Sequence, residues 1–244
     1  ALQAVGTEPA AVVEIREALA ARADEYAAFR TDAGDYVTGG ATAKVLVAAV
    51  VTGEDPTAFG GHDWRARVLD LVYGPDEGAR AGWLFDRRLD DATGANMFDQ
   101  SLAVIGLARS GGVPQSMVDF LVSQQCPEGG FRLYPSETGT PCVDEPPDRR
   151  VVDVDTTAYA VQALLAAAAA GASGTDGPIA RATDWLLSVQ GDDGSFAGSV
   201  LTAYPNTNST GLAAQALAAV GETAAAARAV DYVLGLQLTE MTAG

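Results

Sequence analysis

A segment that recurs within the chain constrains the fold more than any other feature. Val118-Asp119-Phe120-Leu121-Val122-Ser123-Gln124-Gln125, Thr183-Asp184-Trp185-Leu186-Leu187-Ser188-Val189-Gln190 and Val230-Asp231-Tyr232-Val233-Leu234-Gly235-Leu236-Gln237 share one pattern. Each reads Asp, aromatic, two aliphatics, a small residue and a closing Gln. After the first two copies the match continues as Gln-x-x-x-Gly-x-Phe, at Gln125, Gly129, Phe131 and at Gln190, Gly194, Phe196. A degenerate copy lies at Arg30, Gly34, Tyr36, and another at Gly82-Trp83, where the spacing is not kept. A Gln that ends a helix can bond the backbone of the next turn. Gly adopts the positive φ that reverses the chain, and the aromatic folds back to seal the layer. Self-similarity of this kind marks stacked supersecondary units, each needing its neighbours to bury its apolar face.

A second helix type repeats between these copies. Aligning Thr42, Gln100, Thr157 and Thr210 superposes four runs rich in Ala, Val and Leu, at intervals of 58, 57 and 53 residues. They are apolar nearly all round, the signature of a helix buried on every side. In order, helices are expected over 9–29, 40–52, 62–73, 97–110, 114–125, 156–171, 177–189, 208–220 and 223–238. Pro114 and Pro178 fall where a first helical turn tolerates them. Five amphipathic helices thus alternate with four apolar ones, and no stretch keeps a period of two for long enough to read as a strand. The expectation is an all-α chain with small-residue helices inside and amphipathic helices outside, curving into an α/α toroid. Residues 76–95 and 127–152, rich in Gly, Pro and Asp, read as long loops on one face, a usual place for function.

The 244 residues suit a single domain over 1–244, and no linker divides them. With 48% hydrophobic and 19% charged residues the chain is core-forming. A net charge of −17 repels phosphate backbones, so no nucleic-acid partner is expected. The longest apolar run, Ala158 to Ala172, is broken by Gln162 and Gly171 and falls short of the ~20 residues that span a bilayer, so no membrane span is expected. Cys126 and Cys142 flank a Pro- and Gly-rich segment that a disulfide would tie down; the alternative is two free thiols. Metal or nucleophilic chemistry at either would need a His partner, and His62 is the only one. With the bridge comes an oxidising, extracellular location, the chain from Ala1 following a removed secretion signal.

Asp153-Val154-Asp155-Thr156-Thr157, ahead of the Ala-rich run from Ala158, carries two readings. Asp and Thr there can cap a helix N-terminus, satisfying N–H groups that lack an intrahelical partner. The same residues can be a carboxylate pair at the mouth of an apolar cavity. Asn206-x-Asn208-Ser209-Thr210 occupies the same repeat position without acids, which favours capping for both. Gln162 and Gln215 are polar groups in otherwise apolar helices, bonded to neighbouring helix ends or facing a central cavity. Asp192-Asp193 and Asp144-Glu145 lack the spacing of a calcium loop, so neither a metal nor a cofactor is expected.

The Gln-x-x-x-Gly-aromatic repeat and the Asp-x-Asp-Thr-Thr segment resemble the prenyltransferase and squalene-cyclase repeat family, whose members fold as α/α toroids. The resemblance implies a ring of six helix pairs, of which this chain supplies four to five. After Gln237 the expected Gly and aromatic are replaced by Met241 and Ala243, so the expectation is an open, truncated toroid or an edge covered by a partner chain. Zinc-dependent prenyltransferases use an Asp, Cys and His site that the lone His62 does not supply, and the Cys-Gly-Glu-Gln motif of complement-type toroids is absent. Class II terpene cyclases carry Asp-x-Asp-Asp, whose middle acid protonates an alkene or epoxide. The matching positions are Asp153, Asp155 and Thr156, with Thr in place of the last acid. The run Asn206 to Leu217 is similar to the inner helices of extracellular cobalamin-carrier toroids.

The resemblance implies a central cavity, for which Phe98, Asp99, Tyr159, Gln162, Tyr204, Asn208 and Gln215 are the candidate ligand-binding residues. The first expectation is a non-catalytic extracellular module binding a small apolar or amphipathic ligand. The second is a class II cyclase-like enzyme with Asp155 as general acid beside Asp153 and Thr156. The third is a structural segment of a larger surface protein. An aromatic content of only 7% weighs against a carbocation cascade, which needs a cavity walled by π-faces.

Overall fold

In a computed structural model, which describes residues 6, 8–31, 34–88, 91–199 and 202–238, nine α-helices and a small sheet are present among the described residues. The helices are α1 Pro9–Ala27, α2 Gly39–Val51, α3 Trp64–Leu69, α4 Met97–Ala108, α5 Gln115–Ser123, α6 Val154–Ala169, α7 Asp176–Val189, α8 Thr207–Ala219 and α9 Thr223–Gly235. The apolar helices pack in a row, α2 on α4, α4 on α6 and α6 on α8. The amphipathic helices cover one side of that row: α1 on α2, α3 on α2 and α4, α5 on α4 and α6, α7 on α6 and α8, and α9 on α8. This is the inner and outer layering of an α/α toroid.

Small residues set the inner spacing. Ala43, Ala49, Ala103, Ala160, Ala163, Ala213 and Ala216 are fully buried. A Cβ on Gly106 of α4 would come within 2.9 Å of the Leu46 side chain on α2, so a glycine is what allows that approach.

The repeat is a set of interlocking bonds. Gln125 Nε2 donates to Gly129 O at 2.7 Å and to Pro178 O of the next outer helix at 2.9 Å, and the Arg181 guanidinium donates to Gln125 Oε1. One repeat later Gln190 Nε2 donates to Gly194 O at 3.1 Å and Ala225 O at 2.9 Å, and Arg228 donates to Gln190 Oε1. The inner helix grips the same turn: Thr157 Oγ1 accepts from Phe131 N and Thr210 Oγ1 from Phe196 N, each at 2.9 Å. Gly194, at φ +86°, lies so close to α9 that a Cβ would meet Arg228 O at 2.3 Å. Sequence spacing, turn geometry and the stacking of pairs are therefore one feature.

Three expectations change. The chain contains strands: β1 Ala28–Thr31, β2 Gly34–Val37, β3 Phe85–Arg88 and β4 Asp91–Gly94 form one antiparallel sheet in that order, with Phe29 opposite Tyr36 and Tyr36 opposite Arg88. The first helix therefore ends at Ala27, where the chain enters β1. Four-residue strands are too short to declare a period, and β2 with β3 is a pairing across some fifty residues of chain that no local signal encodes. The expected helix over 62–73 contracts to Trp64–Leu69, and residues 76–95, expected as loop, hold a 3₁₀ segment and the β3–β4 hairpin. Arg30, in the degenerate repeat, pairs with Asp35 at 2.6 and 2.8 Å. Met241 and Ala243 lie outside the described residues.

Cys126 and Cys142 form a disulfide, their Cα atoms 4.9 Å apart. It closes part of the 127–152 segment and by loop-closure entropy is worth about 3 kcal/mol. No helix among the described residues is long and apolar enough to cross a membrane.

Candidate functional site

The N-termini of α4, α6 and α8 are capped in the same way. Asn96 Oδ1 accepts from Asp99 N at 3.1 Å, Asp153 Oδ1 from Thr156 N at 2.7 Å, and Asn206 Oδ1 from Ser209 N at 2.8 Å. Asp153 is thus a helix cap, and the Thr156 hydroxyl is bound to the same carboxylate oxygen at 2.7 Å. For α2 the cap comes from another element: Asp86 Oδ1, on β3, accepts from Gly39 N at 2.7 Å.

Asp155 is different. It lies inside the first turn of α6, is 7% exposed, and caps nothing. Its Oδ2 accepts from Asn208 Nδ2 of α8 at 3.0 Å, while Oδ1, buried, has no hydrogen-bond partner of normal geometry among the described residues. Burial pushes its carboxyl above the ordinary value of 3.8, and the nearby Asp153 charge adds to the rise. The Ser209 hydroxyl and the Asn208 amide pull the other way. The capping account therefore holds for Asp153 and Asn206 and fails for Asp155 and Asn208, which bond each other across two inner helices.

Asp155, Tyr159, Gln162 and Ala166 recur at helical spacing along α6. Tyr159, Gln162 and Ala166 are half-exposed, whereas Ala158, Val161, Leu164 and Ala167 are buried. The outer helices cover the opposite side, so this stripe lines the concave, inner wall of the ring. On α4 the equivalent stripe begins at Phe98, whose ring meets Tyr159 edge-on at 5.4 Å. Next to it Asp99 accepts from Asn96 Nδ2 at 2.9 Å and lies 3.8 Å from Lys44 Nζ on α2. Burial raises the Asp99 carboxyl, Lys44 lowers it and Asp86 raises it again. Asp86 is itself raised by burial, against the Gly39 N–H.

The wall thus brings together Asp155, Asn208, Phe98, Asp99, Tyr159 and Gln162. Gln162 and Gln215 bond Ala158 O and Gly211 O of their own helices, at 3.3 and 3.2 Å, which removes the reading in which they bond neighbouring helix ends. Tyr204 stands apart, 83% exposed in the loop before α8. Lys44 and Asp86 were not among the expected residues. Lys44 carries a signal, being the only lysine of the chain and set in an apolar inner helix. Asp86 carries none, because its role depends on the unforeseen β3.

A cavity of about 680 Å³ opens beside the disulfide-tied segment. Leu133, Tyr134, Pro135, Arg149, Val151 and Ser199 line it, with the Arg132–Glu145 pair among its residues. Its size is in the range that holds small ligands.

The three raised carboxyls fix a pH dependence. A carboxyl whose folded value lies above its unfolded one favours the protonated folded state. The associated stability is complete below the ordinary value of 3.8 and is lost as pH rises through each folded value. Asp155→Asn mimics the protonated form. Its urea midpoint should match wild type near pH 3.8 and exceed it at pH 7; a variant less stable than wild type at pH 7 would contradict this account.

No family model matches the chain, and no curated protein matches it. Solved structures do. A protein from Actinoplanes superposes with a TM-score of 0.64 at 18% identity, covering 91% of this chain and 64% of that one. The type II terpene cyclase MstE from Scytonema gives 0.65 at 17%, covering 94% and 63%. A variant of MstE was solved with its substrate, geranylgeranyl dihydroxybenzoate. Protein geranylgeranyltransferase-I of Candida albicans, complexed with GGPP, gives 0.60 at 12%, covering 96% and 71%. The chain spans under two thirds of the length of the Actinoplanes and Scytonema proteins. It shares with these cyclases and transferases the α/α toroid fold.

Proposed function

We propose that this domain binds a small amphipathic ligand on its concave wall, outside the cell, without turning it over. The observation that carries the reading is Asp155, a buried carboxyl held through Oδ2 by Asn208, with the Ser209 hydroxyl nearby and no hydrogen bond of normal geometry at Oδ1. Unpaired buried polar atoms cost free energy unless a bound group satisfies them. In its protonated form, which burial favours, Asp155 offers a donor to a hydroxyl, ether or carbonyl oxygen of the ligand. Phe98 and Tyr159 supply an apolar flank, and the polar Gln162 lies one turn further along. The Cys126–Cys142 disulfide supports an oxidising compartment.

Absence of turnover is supported by the wall itself. A carbocation cascade needs several π-faces around the reacting chain, and Phe98 and Tyr159 are the aromatics the stripe supplies. Thr156, where a class II motif has its last acid, is tied to Asp153 Oδ1. The second reading is protonation-initiated cyclisation with Asp155 as general acid. The raised Asp155 carboxyl favours it, since an acid that keeps its proton is what such chemistry requires.

The test is incubation with geranylgeraniol, squalene and geranylgeranyl dihydroxybenzoate, read by thermal shift and by mass spectrometry of extracts. A rise in melting temperature with ligand concentration and no cyclised product is expected. Product that vanishes in Asp155→Asn hands the site to the second reading. No shift and no product sinks both.

A further inference from the structure

The cavity of about 680 Å³ beside the disulfide-tied segment is built from loop residues and is lined by none of the wall residues Phe98, Asp99, Asp155, Tyr159 and Gln162. Its floor is an ion pair taken out of water, Arg132 and Glu145, 2% and 6% exposed. Arg132 commits Nε and Nη2 to Gln124 Oε1 and Thr140 O, whereas Nη1 meets Glu145 Oε1 at 3.5 Å, long for a hydrogen bond. Nη1 therefore has donor capacity to spare. Arg149, on the same cavity, is exposed and forms neither an ion pair nor a side-chain hydrogen bond among the described residues. It stays unpaired although the chain holds 32 acidic residues against 15 Lys and Arg. Its charge reaches Glu145, so one buried carboxylate faces two guanidinium groups. The walls are apolar: Leu133, Tyr134, Pro135 and Val151, with Tyr134 and Val151 65% and 46% exposed. Apolar walls around a few convergent polar groups are the composition of a small-molecule site.

We propose that this cavity binds a small organic monocarboxylate with a compact apolar body. Its carboxylate takes the Arg149 fork and the spare donor of Arg132 Nη1, and its body lies against Leu133, Tyr134 and Val151. Ser199, from the loop before α8, adds a hydroxyl to the same cavity. The features select this class one by one. A neutral ligand would leave two guanidinium groups over one carboxylate, whereas a planar carboxylate matches the guanidinium fork with two parallel bonds. An inorganic anion would use the donors and leave the apolar walls in water. Glu137, exposed on the same cavity, opposes a second negative charge, as does the net charge of −17, so a monoanion is favoured over a dianion. The Cys126–Cys142 bridge and the buried Arg132 network fix the segment that carries these groups, so the site is formed before the ligand arrives.

The test titrates three probes into the full chain by calorimetry: phenylacetate, its neutral counterpart phenylacetamide, and sulfate, a dianion without an apolar body. Phenylacetate should bind roughly tenfold or more tightly than either of the others, and less tightly at high salt. Arg149→Gln should weaken phenylacetate to about the level of the amide, roughly tenfold or more, while Arg149→Lys keeps the charge, loses the fork and falls between. Because Arg149 is exposed and unbonded, the urea midpoint of Arg149→Gln should equal that of wild type, which separates lost binding from lost fold. Asp155→Asn should leave phenylacetate binding unchanged, so the concave wall and this cavity are tested apart. Equal affinity for acid and amide, sulfate binding as tightly as phenylacetate, or no binding of phenylacetate at millimolar concentration overturns the proposal. So does wild-type affinity in Arg149→Gln, or a loss of affinity in Asp155→Asn, which would move the ligand to the concave wall.

Discussion

Arg132→Met is expected to destabilise the fold by roughly 3–5 kcal/mol, because removing one partner of a buried ion pair strands the other. Arg132 is 2% exposed. Its Nη1 lies 3.5 Å from Glu145 Oε1, its Nε and Nη2 donate to Gln124 Oε1 at 3.0 and 2.6 Å, and Nη2 also donates to Thr140 O. The guanidinium therefore joins the end of α5 to two points of the 127–152 segment, the same segment the disulfide closes. Glu145 is held below the ordinary carboxylate range by the Ser136 hydroxyl first, against a desolvation penalty, with the Arg132 charge adding to the lowering. In the Met variant that carboxylate keeps its burial and loses its cation. The measurement is a urea midpoint at unchanged slope. Arg132→Met/Glu145→Leu should recover part of the loss, since a buried pair replaced whole by apolar groups is often near neutral, while Thr140 O and Gln124 Oε1 stay orphaned. A single-variant loss below ~1 kcal/mol would place the pair among exposed salt bridges and refute this account. Because the Glu145 value is depressed, the pair's stability is present above the ordinary 4.5 and lost as pH falls through the folded value. The gap between wild type and Arg132→Met should therefore narrow in acid.

The residues that announced the fold are those whose roles are local or repeated. Gln125 and Gly129, Gln190 and Gly194, Thr157 and Thr210 stand at fixed spacings because each makes the same bond in each repeat. The sheet was not legible: Ala28 and Phe29 read as the tail of a helix, and the strand character of Ala28–Thr31 comes from pairing with Gly34–Val37 and, through that, with Phe85–Arg88. The site was legible in part. Asp155 and Asn208 stood out as residue types, but their bond crosses from α6 to α8 over 53 residues, and sequence position alone made both look like caps. Capping belongs to Asp153 and Asn206, two residues earlier. A cap is decided by one turn of backbone, whereas the fate of the residue two places later depends on the neighbouring helix.

Gln100→Leu is expected to cost on the order of 4 kcal/mol, three buried backbone groups losing their partner at about 1–3 kcal/mol each, with incomplete additivity. Gln100 is fully buried. Its Oε1 accepts from Leu84 N at 2.7 Å and its Nε2 donates to Gly82 O and Met117 O at 3.1 Å. In the two complete repeats these bonds are divided between two residues: Thr157 and Thr210 accept from the turn, while Gln125 and Gln190 donate to the glycine carbonyl and the next outer helix. Four residues before Gly82 stands Gly78, which has no side chain to donate, so Gln100 performs both tasks from the inner helix. That explains why this one copy loses its spacing and why Gln replaces Thr in it. The division of labour predicts an order. Gln100→Thr restores an acceptor for Leu84 N and abandons the two carbonyls, so its urea midpoint should fall between wild type and Gln100→Leu. Exchange of the Leu84 amide should quicken in the Leu variant and stay slow in the Thr variant. Equal midpoints for Thr and Leu would show that the Leu84 bond contributes nothing, and a Leu variant within ~1 kcal/mol of wild type would mean that water replaces all three bonds. Because Phe98 and Asp99 occupy the same first turn of α4 as Gln100, loosening that turn should also weaken any ligand-dependent thermal shift in the Leu variant more than in the Thr variant.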